Sequence, residues 1–467
     1  MKLKHILYFA IVFLSIPACS KQSPMNLQGS WLGMLPFEGT GLDIHIIFNI
    51  EKKDSAYTVV MHDPDNMSLA NKATINIGDS IRIQTEKLGI TFSGKQTSDS
   101  IIEGVYYQMG HRQALQLKKQ NKALIFNRPQ TPGRENKNYR QELEYIANPK
   151  AKGVELNGIF SRPLEGKKFP VAILIHGSGQ LDMDETIADH KIFYVISDYL
   201  AKKGIAVFRY DKRGVGSSLG NYAVATSEDF ASDVEAIIDY LKTRKDVDPN
   251  KIGLIGHSEG GIIAFMLGAK RKDISYIVSM AGTGISGKEL FATQREHLSK
   301  VLNLSDSIRA KNKELIERIE KITETVPYDS IMKNLNHYVD LLLEDNDRKD
   351  ELKRDGMTKS ICSMALPWRI FINDYDPTEN LKKIACPVFA INGEKDAQVF
   401  ADRNLSSIDS LVREGGNKDV TVKKYPDLNH LFQHCKTGNM SEYAWIEETI
   451  SPEVLDDIGN WIEKRTK

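Results

Sequence analysis

Ile252-Gly253-Leu254-Ile255-Gly256-His257-Ser258-Glu259-Gly260 reads as a turn joining two elements that both lie inside a protein. The run up to Ile255 is apolar without alternation, as in a strand covered on both faces. Beyond the turn, Ile262 to Ala269 is helix-forming. Glycine two positions either side of Ser258 permits a bend that side chains would block, which lifts the hydroxyl above the sheet and aims the next backbone N–H at the same point. Ser258 is the candidate nucleophile; Gly256 and Gly260 make its turn possible.

The same rhythm runs outward in both directions. Val154-Glu155-Leu156 and Ile159-Phe160 open the series as short strands, followed by the continuous apolar run Val171 to Ile175. A helical stretch from about Phe193 to Lys203 stops at Gly204, and Ile205 to Phe208 is the next strand. Val234, Ile237, Ile238 and Leu241 then fall at helical spacing. Tyr276 to Val278, Val388 to Ile391 and Val420 to Val422 continue the strands, and Ser451-Pro452-Glu453 starts a last helix with a cap and a first-turn proline. Strands alternating with helices predict an α/β domain, a mostly parallel sheet with helices on both faces, over 139–467. From Gly287 the sequence turns charged and helix-rich, with one-sided apolar stripes such as Ile308, Leu315, Ile319 and Ile322. Its position predicts an inserted helical cap over about 287–365, lying above the C-terminal strand ends where ligands of open sheets bind; surface helices completing the fold are the plainer reading.

Three further strand ends carry polar residues of the right kind. His176-Gly177-Ser178-Gly179 follows Val171 to Ile175 directly. A tetrahedral intermediate needs two N–H donors on its oxyanion; the amides of Glu259 and Ser178 are the candidates, with Gly177 and Gly179 allowing close backbone approach. His176 reads as a loop-positioning residue. Asn392-Gly393-Glu394-Lys395-Asp396 supplies the acid, Asp396 first and Glu394 as its competitor. Pro426-Asp427-Leu428-Asn429-His430 supplies the base, His430, with His434 one helical turn further on as the alternative. Asp182, Asp184 and Glu185 follow the oxyanion loop and predict either rejection of anionic substrates or recognition of a cationic one; no matching ligand set calls for a metal.

The amino-terminal part is different. Lys2 and Lys4 precede an apolar run from Ile6 to Leu14, too short to span a bilayer. Ser15-Ile16-Pro17-Ala18-Cys19 then resembles a bacterial lipoprotein signal. That resemblance implies cleavage after residue 18, lipid on Cys19, and a chain exported to the cell envelope facing the periplasm. A soluble exported protein is the other reading. Between residues 26 and 127, period-2 runs (Ile44, Ile46, Phe48, Ile50; Ile81-Arg82-Ile83; Leu115-Gln116-Leu117) alternate with turn residues at Asp63-Pro64-Asp65-Asn66, Gly78-Asp79 and Ser93-Gly94. They predict a small antiparallel barrel or sandwich, and Gly29-Ser30-Trp31 resembles the opening of lipocalin-like barrels. It reads as a spacer or substrate-presenting module. Pro129-Gln130-Thr131-Pro132-Gly133 lies in a linker over 128–138. Of 467 residues, 62 are basic and 62 acidic, a balance that argues against a nucleic-acid partner. The four cysteines do not form a disulfide scaffold; Cys362, Cys386 and Cys435 are odd in number, so at least one is free.

The order Ser258, Asp396, His430 with His176-Gly177-Ser178-Gly179 upstream resembles the α/β-hydrolase superfamily over roughly residues 140–467. Arg209-Tyr210-Asp211-Lys212-Arg213-Gly214-Val215-Gly216-Ser217-Ser218 resembles a loop of its esterase and serine-aminopeptidase-like branches, where Asp211 and Arg213 read as scaffolding. The whole chain is similar to exported two-domain bacterial esterases with a β module. The resemblance implies a serine hydrolase working without a cofactor through an acyl-enzyme, a carboxylesterase on small or medium acyl groups. Peptides or thioesters are alternative substrates of the same triad, and a non-catalytic surface binding protein is the alternative of another class.

Overall fold

The computed structural model describes residues 26–37, 42–54, 56–65, 67–108, 111–133 and 138–467. The leader, Cys19 and linker positions 134–137 lie outside the described residues.

Eight strands form the first body: β1 (Gly29–Phe37), β2 (Leu42–Lys53), β3 (Ala56–Asp63), β4 (Ser68–Ile77), β5 (Ile81–Thr85), β6 (Ile90–Ser98), β7 (Ile101–Gln108) and β8 (His111–Lys119). Each pairs antiparallel with the next, and β1 closes on β8 at Trp31↔Lys119, so it is a barrel and not a sandwich. Closure leaves no free sheet edge. The predicted alternation places Ile46, Phe48 and Ile50 inside with Phe92, Leu117 and Trp31, whose indole N–H donates to Leu27 O at 2.7 Å. Ser93-Gly94 is not a turn. It lies within β6, where Gly94 pairs with Gly104 of β7. A Cβ at Gly104 would stand 2.6 Å from the Gly94 Cα and 2.8 Å from Phe92, so the glycines serve close strand approach beneath a ring.

The second body follows in the order β9 (Tyr139–Ala147), β10 (Glu155–Pro163), β11 (Phe169–Ile175), a small hairpin β12 (Thr186–Ile187) and β13 (His190–Lys191), α1 (Ile192–Lys202), β14 (Ala206–Tyr210), α2 (Ser227–Thr243), β15 (Val247–His257), α3 (Glu259–Lys270) and β16 (Ile277–Met280). Seven helices come next: α4 (Gly287–Val301), α5 (Asp306–Thr325), α6 (Tyr328–Lys333), α7 (Leu335–Leu342), α8 (Glu351–Ala365), α9 (Pro367–Asp374) and α10 (Thr378–Lys383). Then β17 (Val388–Gly393), α11 (Ala401–Glu414), β18 (Val420–Tyr425) and α12 (Pro452–Thr466) finish the chain. The eight-stranded sheet has the order β18-β17-β16-β15-β11-β14-β10-β9, and only β10 runs against its neighbours. This is an α/β-hydrolase sheet. Its two faces bury separate apolar clusters, one around Ile173, Phe208, Leu254 and Phe265, the other around Leu174, Phe193, Ile255 and Phe389.

The strand β9 has no counterpart in the sequence reading. Its residues alternate charge with apolar groups, and Leu143 and Tyr145 are exposed, as an edge strand allows. The two short entry strands expected around Val154–Leu156 and Ile159–Phe160 are one strand, β10, starting at Glu155. Ser451 precedes α12, but its side chain makes no cap bond. The inserted helices enclose a small core of their own around Ile319, Ile331, Val339 and Ile361, while Ile308 of the predicted stripe is exposed. The helical run extends past 365 to Lys383, and Leu381 of α10 joins the main core.

Barrel and sheet domain are joined by more than chain. Arg128 donates to Ala188 O at 2.7 Å and Ala444 O at 2.9 Å. The Gln130 side chain brackets Ile450, accepting its N–H and donating to its carbonyl. Trp445 lies against Phe126 and against His45 of β2.

Candidate active site

Ser258 sits between β15 and α3 with φ +53° and ψ −117°, a conformation costly for any residue with a side chain. Neighbouring backbone holds it there. The Ser258 N–H donates to Met280 O at 2.8 Å, and the Gly261 N–H returns to Ser258 O at 2.9 Å. A Cβ at Gly256 would stand 2.1 Å from Gly260 O, and one at Gly260 would stand 2.0 Å from Ile175 O. Both glycines are steric necessities of this bend.

Ser258 borders a cavity of about 380 Å³ together with Gly177, Ser178, His257 and His430. The His430 Nδ1 lies 2.7 Å from the buried Asp396 Oδ2. A carboxylate accepts, so Nδ1 carries the proton and Nε2 is the nitrogen left as a base. The other Asp396 oxygen accepts the N–H groups of Gln398 and Val399, each at 2.8 Å, which fixes the carboxylate plane. Asn429 Oδ1 accepts the N–H groups of Leu431 and Gln433 and shapes the turn carrying His430. The competitors lie elsewhere: Glu394 is exposed, and His434 pairs at the surface with Glu448 at 2.8 Å.

Ser178 is on the exposed loop after β11, at the rim of this cavity; Glu259 is the first residue of α3, so its amide is at a helix N-terminus. The loop is anchored from behind. The Gly177 N–H donates to Glu185 Oε1 at 2.7 Å, and the Gly177 carbonyl accepts from Lys212 Nζ at 2.9 Å. Lys212 also reaches Glu259 Oε2 at 3.1 Å, while Glu259 Oε1 accepts from Ser227 Oγ and the Trp368 indole. One buried ion pair thus joins the His176–Gly179 loop to the residue after Ser258. Asp211 and Arg213 are scaffolding: Asp211 accepts the N–H groups of Met183 and Ser217, and Arg213 grips Asp233.

His176 is fully buried, with Nε2 3.0 Å from Asp182 O, and burial pushes its pKa down to about 4. It stays neutral at ordinary pH. His257 is also enclosed, between Glu185 Oε1 at 3.2 Å and His430 O at 3.0 Å. Burial disfavours its charge, but Glu185 and the hydrogen bonds outweigh that, and its pKa lies above 6.5.

The acidic loop does not present free carboxylates to a substrate, which corrects the expectation from sequence. Asp184 is paired with Arg209 and Lys191, Asp182 accepts from Thr186, and Glu185 is wholly buried behind Gly177. Nor do the inserted helices roof the cavity: no described residue of 287–383 borders it. They flank it, α9 through Trp368 and α4 through Gln294, which donates to Gln398 O at 2.9 Å. Sequence reasoning gave no role to Lys212, His257 or Met67, which also borders the cavity, and took Glu185 for an acid facing the substrate. Lys212 and His257 stood inside motifs already singled out, and Glu185 inside the acidic loop; Met67 carried no signal of its own.

The family model described as serine aminopeptidase, S33, matches residues 188–434, a span that includes Ser258, Asp396 and His430 and begins after the loop His176–Gly179. Esterase EstD of Thermotoga maritima is 25% identical over 332 residues, 69% of this chain and 70% of that protein. The human serine hydrolase BPHL is 27% identical over 224 residues, 48% of this chain and 61% of that one. Among solved structures, the esterase Pf2001 of Pyrococcus furiosus is 15% identical with a TM-score of 0.44, covering 73% of this chain and 99% of its own.

Proposed function

We propose, because this chain belongs to the serine aminopeptidase (S33) family of α/β-hydrolases, that it cleaves carboxylic esters of small or medium acyl groups through an acyl-enzyme on Ser258. The observation that carries the reading is the Asp396–His430 pair set against the same cavity as a strained serine. In this mechanism His430 Nε2 takes the Ser258 proton as Oγ attacks the ester carbonyl, and the Ser178 and Glu259 amides receive the oxyanion. The tetrahedral intermediate collapses as His430 protonates the departing alcohol. Water, deprotonated by His430, then attacks the acyl-enzyme and releases the acid.

The cavity walls favour an ester over a peptide. Leu181, Ile187, Leu431 and Tyr443 give it an apolar lining, and Glu185, its only acidic side chain among the described residues, is committed to Gly177 and His257. Capture of a peptide's free amine would need an accessible carboxylate. The family's description keeps aminopeptidase activity as the second reading. Purified protein assayed with p-nitrophenyl acetate and butyrate beside aminoacyl-nitroanilides decides between them. Turnover of the esters is expected, falling at least about 10,000-fold in Ser258→Ala; turnover confined to the anilides would overturn the esterase reading.

Export and lipid attachment at Cys19 are part of the proposal, supported by the basic start, apolar run and Ala18-Cys19 junction. Metabolic labelling with palmitate in a bacterial host should mark the wild type in the membrane fraction and not Cys19→Ser; equal labelling would refute it. The partners are then a small-molecule ester and a membrane.

A further inference from the structure

One wall of the catalytic cavity comes from the other domain. Met67, on the β3–β4 connection of the barrel, borders the space that holds Ser258 and His430 and packs against the apolar face containing Leu431 and Tyr443. It is held there in a backbone conformation that favours glycine, φ +55°, by a turn in which its N–H donates to Pro64 O at 2.9 Å. Glycine would take this conformation without cost; the methionine instead puts a flexible apolar side chain at the cavity.

The same turn is tied to a neighbouring wall segment of the hydrolase domain. Asp65 Oδ2 accepts from the His45 backbone N–H at 2.6 Å and lies 2.9 Å from its Nδ1, anchoring the turn to β2. Asp65 Oδ1 accepts from the Trp445 indole at 3.2 Å. Trp445 ends the helical turn Met440–Trp445, which itself contributes Met440 and Tyr443 to the cavity. Arg128 clamps Ala188, which lines the space, and Ala444, which follows the lining residue Tyr443.

We propose that the barrel is part of the substrate site, and that Met67 is a specificity-determining residue setting the length of the apolar chain the cavity accepts. This rests on the esterase reading for its substrate class. A cavity of about 380 Å³ is at the small end for ligand sites, so a shorter or bulkier side chain on one wall changes which chain fits.

The test compares full-length wild type, Met67→Ala and Met67→Trp on p-nitrophenyl acetate, butyrate and octanoate, with thermal unfolding as the fold check. Relative to wild type, the octanoate-to-acetate ratio of kcat/KM should rise about tenfold in Met67→Ala and fall by a similar factor in Met67→Trp. Trp445→Phe, which removes the bond to Asp65 and trims the ring that lies against Phe126 and His45, should shift the ratio in the Met67→Ala direction by less and stands in if the Met67 variants misfold. Met34→Ala, exposed elsewhere on the barrel, should leave it unchanged. Ratios within about twofold of wild type in folded Met67 variants would overturn the proposal, since a single methylene in a contacting pocket changes selectivity more than that. If no ester is turned over, the esterase reading fails on its own. The relative rates at which ethyl and octyl fluorophosphonates modify Ser258 in the same variants then read the wall directly: a shift supports it and constancy overturns it. Absence of any Ser258 adduct sinks both.

Discussion

Lys212 shows how much of this site depends on one buried charge. Its ammonium binds both the Gly177 carbonyl and Glu259, so the loop before the nucleophile and the helix after it share an anchor. Replacing it by methionine leaves Glu259 buried without its cation, a change that typically costs about 3–5 kcal/mol. Lys212→Met should therefore lower both the unfolding midpoint and kcat, and adding Glu259→Gln should restore part of the stability because the orphaned charge is gone. Strictly additive losses in the double variant would show that the two side chains are not coupled. The contrast with Ser258 explains what could be read in advance. The glycines around Ser258 have a local, steric reason visible in five consecutive residues, whereas Lys212 and Glu259 stand 47 positions apart and meet only through the fold. That Asp396 and His430 meet could be anticipated because each follows the end of a core strand. Glu185 was legible as an acid but not as a buried one, since a carboxylate beside two others looks the same in sequence whether it faces water or Gly177.

At the level of elements, patterning worked where one face is buried and failed where context decides. The barrel strands announced themselves by alternation, as β2 does, but Ser93-Gly94 has turn chemistry and sits mid-strand because Gly104 faces it across the ladder. A Cβ at Gly104 would come within 2.4 Å of Ser93 O, backbone that cannot step aside. Gly104→Ala should destabilise the barrel by about 1–3 kcal/mol, the range for overpacking a tight site, read as a lowered denaturation midpoint. A midpoint equal to wild type would mean that the strands separate easily. The edge strand β9 escaped notice because its charged alternation is what an edge requires: Glu142 and Glu144 spend their charge on Arg244. The inserted helices could be seen as helices, but where they pack could not, because apolar stripes specify a buried face and not its partner.

Over the whole molecule, buried histidines set opposite limits on stability. His176 and His190 both have pKa values pushed down to about 4, chiefly by burial, against an ordinary 6.5. The unfolded chain therefore binds their protons more readily, so their contribution is full above pH 6.5 and is lost as pH falls toward 4, by up to about 1.4 kcal/mol per pH unit for each. His257 has the reverse sign. Its raised pKa gives stability that is complete below 6.5 and fades as pH rises through the folded value. Thermal melts across pH 4.5 to 9 should show an acid limb that His190→Gln makes shallower and an alkaline limb that Glu185→Gln removes; variants with profiles parallel to wild type would contradict this assignment. His190 is a bridge as well, contacting Thr449 and the Tyr443 carbonyl, so its acid limb reports on the same walls that the barrel braces.

Trapping the covalent intermediate tests the central claim most directly. Wild-type protein mixed with p-nitrophenyl butyrate, quenched in acid within the first turnover and mapped by peptide mass spectrometry should carry a butyryl group on Ser258. In Asp396→Asn and His430→Ala that adduct should form far more slowly. A butyryl group on another residue, or on Ser258 at the wild-type rate with His430 removed, would contradict the account.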